Sequence, residues 1–404
     1  MLHRLEIENF YSIRDKQTID LCFSPRPRED ERRLAPTWRG AAERTPKVVA
    51  LFGANASGKS NVLKALSFVI WFVKDSFGLP PGGRLPFERF NDEAMLTAPT
   101  RLAIHFSGLE SKLDASEAYP RECRYAYEVT LGGTEPCRVE YEALHYWPSH
   151  AARRVRVFER TGEGKVLAGK SFEMAGYRPA LEKILRPEVS VIATLAQLGH
   201  PLSLSLRGQA ERVVTNILFE RGEITDDSAI RIYAEWPELL KKLNEEIQKL
   251  DVGIRSMRIE AGQSGPVAWF THDGLARDMK LILQSHGTRQ FLKIYPALVR
   301  TLEIGGVAVL DELDVAIHPL LLPEILRWFY DPGRNPHDAQ LWISCHSASL
   351  LEELSKEEVL FCEKNRKGIT SIYGLADIKS SERRTDNHYR KYMGGLYGAV
   401  PQIG

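Results

Sequence analysis

The stretch GANASGKS, residues 53–60, constrains the fold more than any other part of the 404-residue sequence. It fits the pattern G-x-x-x-x-G-K-[ST] without mismatch, follows the apolar run PKVVALF, and leads into the helix-like segment NVLKAL. Glycines let the backbone curl so that successive N–H groups point inward, and the positive end of the following helix dipole adds to this field. This order of strand, loop and helix therefore predicts a phosphate-binding site.

The residue types within this glycine loop predict separate tasks. We expect Lys59 to reach the β- and γ-phosphates of a nucleotide, and the Ser60 hydroxyl to take a position on Mg²⁺. The other loop positions are expected to surround the phosphates, and these are Gly53, Asn55, Ala56, Ser57, Gly58 and Asn61.

A second apolar run, residues 307–310, ends in two acids, Asp311 and Glu312. An apolar strand that ends this way places both carboxylates at the carboxyl edge of a parallel sheet, where ligands bind in such folds. Asp311 is then expected to hold Mg²⁺ directly or through water, and Glu312 to orient and deprotonate an attacking water. A strand that merely happens to end in acids is the alternative, and the glycine loop makes it the weaker one.

The charge balance excludes a global attraction to nucleic acid or to an anionic membrane, because the formal net charge is only +1. Nucleic-acid binding would need a local patch. Acids interrupt two candidate patches, so a solvated surface competes with phosphate binding there: Arg26, Arg28, Arg32 and Arg33, and Arg153, Arg154, Arg156 and Arg160. A third basic group near the tail is suited equally to docking a partner protein: Arg383, Arg384, Arg390 and Lys391.

Targeting and redox features favour a cytoplasmic location. The opening MLHRLEIENFYSI lacks the continuous apolar core of a secretory signal. The longest apolar run, residues 66–73, is too short to span a bilayer and predicts a buried helix. The five cysteines are odd in number and scattered, which indicates reduced thiols.

Periodicity divides the chain into three parts. Residues 1–165 are expected to form an N-terminal lobe with the glycine loop and an antiparallel sheet, because apolar and polar positions alternate as in half-buried strands at 101–107, 124–133, 137–147 and 153–161. The Pro/Arg-rich stretch at 24–47 in this lobe predicts an exposed loop. Residues 166–265 are expected to form a mainly helical insertion, and PELLKKLNEEIQKLDVGI within it favours a core-packing helix over a coiled-coil stub. Residues 266–404 return to alternating strands and helices.

Three further motifs resemble those of the ABC-type ATPases of the SMC, RecF and OLD group. SHGTRQ at 285–290 resembles a shortened form of their signature, LDELDVAIHP at 310–319 resembles their Walker B and D-loop, and SCHS at 344–347 resembles their switch-histidine motif. A base-reading NKxD motif of GTPases is missing from the sequence. The resemblance implies an α/β fold: a P-loop ABC-type head, with a mixed sheet, flanking helices and an antiparallel lobe, that carries the helical insertion.

The resemblance also implies how two chains would share a nucleotide. Ser285 and Gly287 would touch the γ-phosphate of ATP bound by a second protomer, His346 would sense that phosphate, and Asp314 would cross the dimer interface. ATP and Mg²⁺ are therefore the expected ligands, and a homodimer or higher oligomer the expected assembly. No counterpart of the family's Q-loop glutamine stands between Leu85 and Arg101, where only Asn91 or Asp92 offers a substitute.

A closer resemblance is to standalone bacterial ATPases of the RloA and AbiL type, which act in anti-phage defence. It is carried by the opening LEIENFYSI and by the tail KYMGGLYGAVP, residues 391–401. It implies a separate partner of TOPRIM or nuclease type, since the chain after the last core strand is too short for a fused one. A RecF-like ATPase that acts directly on DNA is the alternative, whereas the long insertion disfavours a transporter subunit.

Overall fold

The structure is a computed structural model. It describes residues 1–24, 32–110, 121–134, 137–148, 153–222, 224–250, 253–263, 265–315, 317, 321–378 and 387–400.

The strands and helices of this part of the chain are numbered in chain order. The strands are β1 Leu2–Glu8, β2 Gln17–Asp20, β3 Leu34–Pro36, β4 Arg44–Pro46, β5 Val48–Phe52, β6 Thr100–Leu109, β7 Glu122–Gly132, β8 Arg138–Trp147, β9 Val155–Thr161, β10 Val166–Ala168, β11 Val213–Thr215, β12 Ile254–Gly262, β13 Gly265–His272, β14 Met279–Lys280, β15 Val307–Leu310, β16 Gln340–Ser344, β17 Val359–Lys364 and β18 Thr370–Gly374. The helices are α1 Lys59–Asp75, α2 Glu93–Thr97, α3 Arg178–Ile184, α4 Val191–Gln197, α5 Pro201–Ala210, α6 Asp226–Glu235, α7 Pro237–Leu250, α8 His286–Ile304, α9 Leu321–Tyr330 and α10 His388–Met393.

A mostly parallel sheet, in the order β11-β15-β16-β5-β17-β18, carries the predicted loop and acids. Its first five strands run parallel, and β18 returns antiparallel beside β17. Every residue of β5 and of β15 is buried, which explains why both segments are continuously apolar in the sequence. The parallel arrangement gathers the carboxyl ends of these strands at one edge.

An antiparallel sheet, in the order β10-β9-β8-β7-β6-β1-β2, forms a second layer. It contains the four strands that alternation predicted between residues 101 and 161, now seen as β6 to β9. Helix α1 shares one hydrophobic core with residues of both sheets. The helix is therefore apolar around most of its circumference, and the prediction that residues 66–73 form a buried helix is confirmed.

The middle of the chain is less uniformly helical than its periodicity indicates. Helices α3 to α7 lie there, but β11 joins the parallel sheet and β12 pairs with β13, which in turn pairs with β14. Leu239, Leu243 and Ile247 of α7 are buried, so the prediction of a core-packing helix is confirmed over that of a coiled-coil stub.

One prediction from composition was wrong in part. The Pro/Arg-rich stretch is not an exposed loop at residues 34–36 and 44–46, because these form the paired strands β3 and β4. Leu34, Ala35 and Thr45 are buried there. Polar residues and prolines surround these two short strands in the sequence, so their few apolar residues, which pack inward, set no recognisable pattern.

All five cysteines are free thiols. Within the described ranges, no helix is both long enough and apolar enough to cross a membrane.

Candidate functional site

The carboxyl ends of four adjacent parallel strands bring most of the predicted site residues together. Strand β5 leads into the glycine loop, β15 ends at Asp311 and Glu312, and β16 ends two residues before His346. Strand β11, beside β15, ends at the residue before Asn216, which sequence reasoning did not single out. The glycine loop and the acids therefore meet at one sheet edge, as parallel topology requires.

The loop backbone adopts conformations that explain its glycines. Gly53 has φ of 150° and Gly58 has φ of 110°, both in the region that side chains disfavour. A Cβ on Gly53 would lie 2.2 Å from the carbonyl oxygen of Cys362, so the loop also needs this position bare in order to pass β17. Ala56, at φ of 60°, completes the curl.

The Lys59 ammonium lies against the loop itself. Its Nζ donates to the carbonyl oxygens of Gly53, at 2.9 Å, and Ala54, at 3.1 Å. Lys59 is buried, and this burial lowers the pKa of its ammonium. The Ser57 hydroxyl is also buried and has no hydrogen-bond partner among the described residues. Together they present an ammonium and an unpaired hydroxyl in a curled loop, an arrangement suited to phosphate oxygens.

Asp311 is buried at the centre of a cluster of side-chain oxygens. Its Oδ1 accepts hydrogen bonds from Ser60 Oγ at 3.0 Å and from Ser344 Oγ at 2.6 Å. The side-chain amide of Asn216 fixes the Asp311 backbone, donating to its carbonyl and accepting from its N–H. Mg²⁺ is commonly held by one or two carboxylates together with substrate phosphates, so the Ser60 and Asp311 oxygens fit this ion.

Glu312 follows in a strained turn. Its φ of 52° is left-handed, and its backbone N–H donates to Ser344 Oγ at 2.8 Å. One carboxylate oxygen forms an ion pair with Arg221, and the other lies 3.6 Å from His346 Nε2. The side chain is one-third exposed. Glu312 therefore reaches from the sheet edge toward solvent, between an arginine and a histidine.

Asp314 links the acidic segment to the histidine turn. Its Oδ2 accepts from the backbone N–H of His346 at 2.6 Å and from that of Ser347. Its other oxygen is buried and has no hydrogen-bond partner among the described residues. Whereas the resemblance implies that Asp314 reaches a second protomer, within this chain its carboxylate holds the turn that carries His346. Ala316, His318 and Pro319 of the same motif lie outside the described residues.

Ser285 and Gly287 stand at the start of α8, apart from the loop. The Ser285 hydroxyl caps this helix by accepting from the Thr288 N–H at 3.1 Å. Ser285 is exposed, and the preceding Ile282 and Leu283 are 64% and 63% exposed. The positive end of α8 thus faces solvent, together with the apolar side chains of Ile282 and Leu283 just before the helix.

The opening LEIENFYSI and the tail KYMGGLYGAVP, which carry the closer resemblance, both contact the glycine loop or the residue after it. Asn61 Nδ2 donates to Ser12 Oγ at 2.7 Å, and Ser12 Oγ lies 2.7 Å from Thr370 Oγ1. That Thr370 hydroxyl donates to the Ser57 carbonyl at 2.8 Å. The opening LEIENFYSI therefore ends in a turn that places Ser12 against the loop.

The tail contributes from another direction. The Ala54 N–H donates to the Ala399 carbonyl at 3.0 Å, and Tyr392 Oη donates to the same oxygen at 3.1 Å. Tyr392 stacks on Phe361 of β17 with ring centroids 5.4 Å apart. Ser12, Thr370 and Ala399 were missed because their contacts with the loop join distant parts of the chain.

Asp92, one of the two substitutes for the Q-loop glutamine, has local contacts in the structure. The Asp92 carboxylate caps α2 and pairs with Arg14 at 3.1 Å, so it has local structural work of its own. Asn216 is the carboxamide that reaches Asp311, from the strand beside β15.

The arginine patches are partly committed to structure. Arg33 pairs with buried Glu358 at 2.8 Å, and Arg160 is itself buried, donating to the carbonyls of Val189 and Arg186. These two arginines are therefore not free surface cations. Arg154 pairs with Glu128 of β7, and Arg156 pairs with Glu159 of its own strand. Four other arginines lie outside the described residues: Arg26, Arg28, Arg383 and Arg384.

Solved structures similar to this chain include heads of SMC proteins. The SMC head domain from Thermotoga maritima is 15% identical, with 92% of this chain and 98% of that chain covered at a TM-score of 0.42. An SMC head bound to the C-winged helix domain of ScpA is 12% identical, covering 92% and 97% at 0.49. An SMC head with an extended coiled coil bound to the C-terminal domain of ScpA, derived from Pyrococcus furiosus, is 12% identical, covering 92% and 96% at 0.39.

Curated proteins gave no match. The protein family described as "AAA domain, putative AbiEii toxin, Type IV TA system" matches residues 48–131 and 196–352. These ranges include the glycine loop, Asn216, the acidic pair and His346, and they span more than half of the sequence. The chain belongs to this family of AAA domains.

Proposed function

We propose that this chain is a Mg²⁺-dependent ATPase that works as a dimeric switch on a separate effector protein. The observation that carries the proposal is the meeting of Lys59, the Ser60–Asp311 oxygen pair and Glu312 at one sheet edge. These are the parts that phosphoryl transfer to water needs: positive charge on the phosphates, a cation site and a carboxylate near the attacking water.

The chemistry follows from these positions. A water oxygen attacks the γ-phosphorus of ATP, the bond to the β–γ bridging oxygen breaks, and a water proton passes to the Glu312 carboxylate. The products are ADP and inorganic phosphate. Lys59 and the loop N–H groups offset the charge that develops on the phosphate oxygens. Mg²⁺, when bound by Ser60 and Asp311, supplies further positive charge at the β- and γ-oxygens.

A second copy of the chain would complete the site. The exposed start of α8, with its capping Ser285, is an N-terminal helix end suited to an anion. Ser285 and Gly287 would contact the γ-phosphate held by the partner, and the exposed Ile282 and Leu283 would be buried against it. Contacts from both chains would stabilise the closed dimer by linkage, and loss of the γ-phosphate would release it.

The biological role rests on the closer resemblance and on the family. Proteins of RloA and AbiL type act beside a partner protein, and the matched family is described by an AbiEii toxin. We therefore place the chain in bacterial anti-phage defence, controlling a nuclease-like or TOPRIM-like effector through residues 166–265, between an N-terminal lobe at 1–165 and a C-terminal lobe at 266–404. The RecF-like alternative has less support, since Arg33 and Arg160 are engaged in the fold.

The first test is Glu312→Gln. Because the amide cannot take the water proton, the variant should bind ATP and Mg²⁺, hydrolyse ATP only very slowly and accumulate as a dimer in size-exclusion chromatography. The double variant Lys59→Ala/Glu312→Gln is the control and should remain monomeric with ATP. A Glu312→Gln variant that hydrolyses ATP like the wild type, or stays monomeric with saturating ATP, would count against the proposal.

A further inference from the structure

The loop at residues 216–222 is fixed to the catalytic edge more firmly than an ordinary surface turn. Its first residue, Asn216, makes two hydrogen bonds with the Asp311 backbone, at 3.1 and 2.8 Å. The loop closes on itself because the Gly222 N–H donates to the Asn216 carbonyl at 2.7 Å, and Ile217 forms a β-bridge with Arg221. Arg221 is therefore carried by a braced turn beside Asp311.

From this turn Arg221 reaches the candidate catalytic carboxylate. Its Nη1 donates to Glu312 Oε2. His346 Nε2, the other neighbour, lies 3.6 Å from Glu312 Oε1, which is beyond hydrogen-bonding distance. Within the described part of the chain, the Arg221 guanidinium thus makes the one short contact that orients the Glu312 side chain.

We propose that Arg221 is a positioning residue, which holds the Glu312 carboxylate where the attacking water must sit. The inference rests on the proposed ATPase function and adds a residue to it. A glutamate has three rotatable bonds, so an unheld carboxylate samples many orientations, and a misplacement of about 1 Å can slow a reaction by about a hundredfold. Arginine suits the task because its guanidinium stays charged and its donors are rigidly arranged.

Two other roles for Arg221 make different predictions. A guanidinium that binds the γ-phosphate directly would contribute to ATP affinity. An ordinary surface ion pair would contribute little to turnover, ATP affinity or stability. Both side chains are more than 30% exposed, and exposed ion pairs add little to the free energy of unfolding. Positioning alone predicts a slower chemical step with unchanged nucleotide affinity.

The experiment compares Arg221→Ala and Arg221→Lys with Arg255→Ala, which removes an exposed ion pair with Asp273 in the β12–β13 sheet. Turnover and ATP affinity are measured on each full-length variant, with thermal unfolding to verify folding. Arg221→Ala should lower kcat about tenfold to a hundredfold and leave the Kd for ATP within about twofold. Arg221→Lys should recover part of kcat, since it keeps the charge, and Arg255→Ala should match the wild type.

A double-variant cycle tests whether Arg221 acts through Glu312. In a Glu312→Gln background the slow residual single-turnover rate should not fall further when Arg221→Ala is added. The inference is overturned if Arg221→Ala raises the Kd for ATP about tenfold, leaves kcat unchanged or increases it, or has the same effect in both backgrounds. If the wild type hydrolyses no ATP, the proposed function fails and the inference falls with it. If the wild type is active and Glu312→Gln is not, an unaffected Arg221→Ala refutes only the inference.

Discussion

Backbone strain collects at the candidate site in residues other than glycine. Ala56, Glu312 and Ala399 have φ of 60°, 52° and 56°. Each such conformation costs about 1–3 kcal/mol and persists only where its surroundings impose it. The surroundings are visible here: Ser344 holds the Glu312 N–H, and the Ala54 N–H and Tyr392 hydroxyl both bind the Ala399 carbonyl. The backbone conformation at this sheet edge therefore lowers the stability of the fold, and the surrounding hydrogen bonds maintain it.

Glycine offers the sharpest test at the residue scale. Gly58→Ala should weaken ATP binding by about tenfold or more. A Cβ at this position would lie 2.4 Å from Thr370 Oγ1 and would move the glycine loop away from Thr370, which hydrogen-bonds to the Ser57 carbonyl. Gly253→Ala is the matched control, since φ of 101° imposes similar strain but no described atom lies within 4 Å of the added Cβ. Isothermal titration with ATP separates the two, and equal affinities would refute the role given to loop shape.

The residues that the sequence predicted lie in recognisable local motifs, and those it missed do not. Lys59 bonds to its own loop, so the local pattern was enough. Asn216 and Arg221 contact residues 95 and 91 positions away, and nothing in their local sequence signals this. Their roles depend on β11 lying beside β15, which is a property of topology and not of spacing.

At the scale of elements, helix α8 is tied to α6, which follows the braced turn that carries Arg221. Asp226, in the first turn of α6, accepts from Arg289 Nε at 2.9 Å and pairs with Lys293 at 3.0 Å. Burial acts to raise the pKa of Asp226, but the hydrogen bonds from Lys293 and Arg289 outweigh it and leave the pKa lowered. Helix α8, which begins after Ser285, is thus linked by ion pairs to α6, which follows the turn that carries Arg221.

Asp226→Asn should reveal this link in the pH dependence of stability. A lowered folded-state pKa gives stabilisation that is present above the unfolded pKa, about 3.9, and is lost as the pH falls through the folded value. The variant should therefore melt below the wild type at about pH 7 and about pH 5, and the gap should shrink near about pH 3. A gap that stays constant down to the lowest pH would show that Asp226 stabilises by packing and not by charge.

Elements were predictable where their patterns were long. The apolar stripe of α7 and the alternation in β6 to β9 run for at least seven residues each, enough to set a period. Strands β3, β4 and β11 have three residues each, which no periodicity can reveal. β11, which ends at the residue before Asn216, lies inside a segment that the sequence predicted to be mainly helical. The sequence analysis therefore missed this strand.

At the scale of the whole molecule, α1 packs in a core shared by the two sheets and begins in the glycine loop at their border. Ser285, at the start of α8, is exposed to solvent. In the proposed dimer, Ser285 of each chain completes the nucleotide site of the other chain.

Mixing two inactive variants tests directly whether two chains share each nucleotide site. Lys59→Ala and Ser285→Arg, each purified alone, should hydrolyse little ATP, one for want of the lysine and the other for want of the capping hydroxyl. In an equimolar mixture, each mixed dimer pairs Lys59 of one chain with Ser285 of the other at one of its two sites, so ATPase activity should return, to about a quarter of the wild-type level where the chains pair at random. Full activity of Ser285→Arg alone, or mixed dimers that form without any recovery, would contradict the shared site.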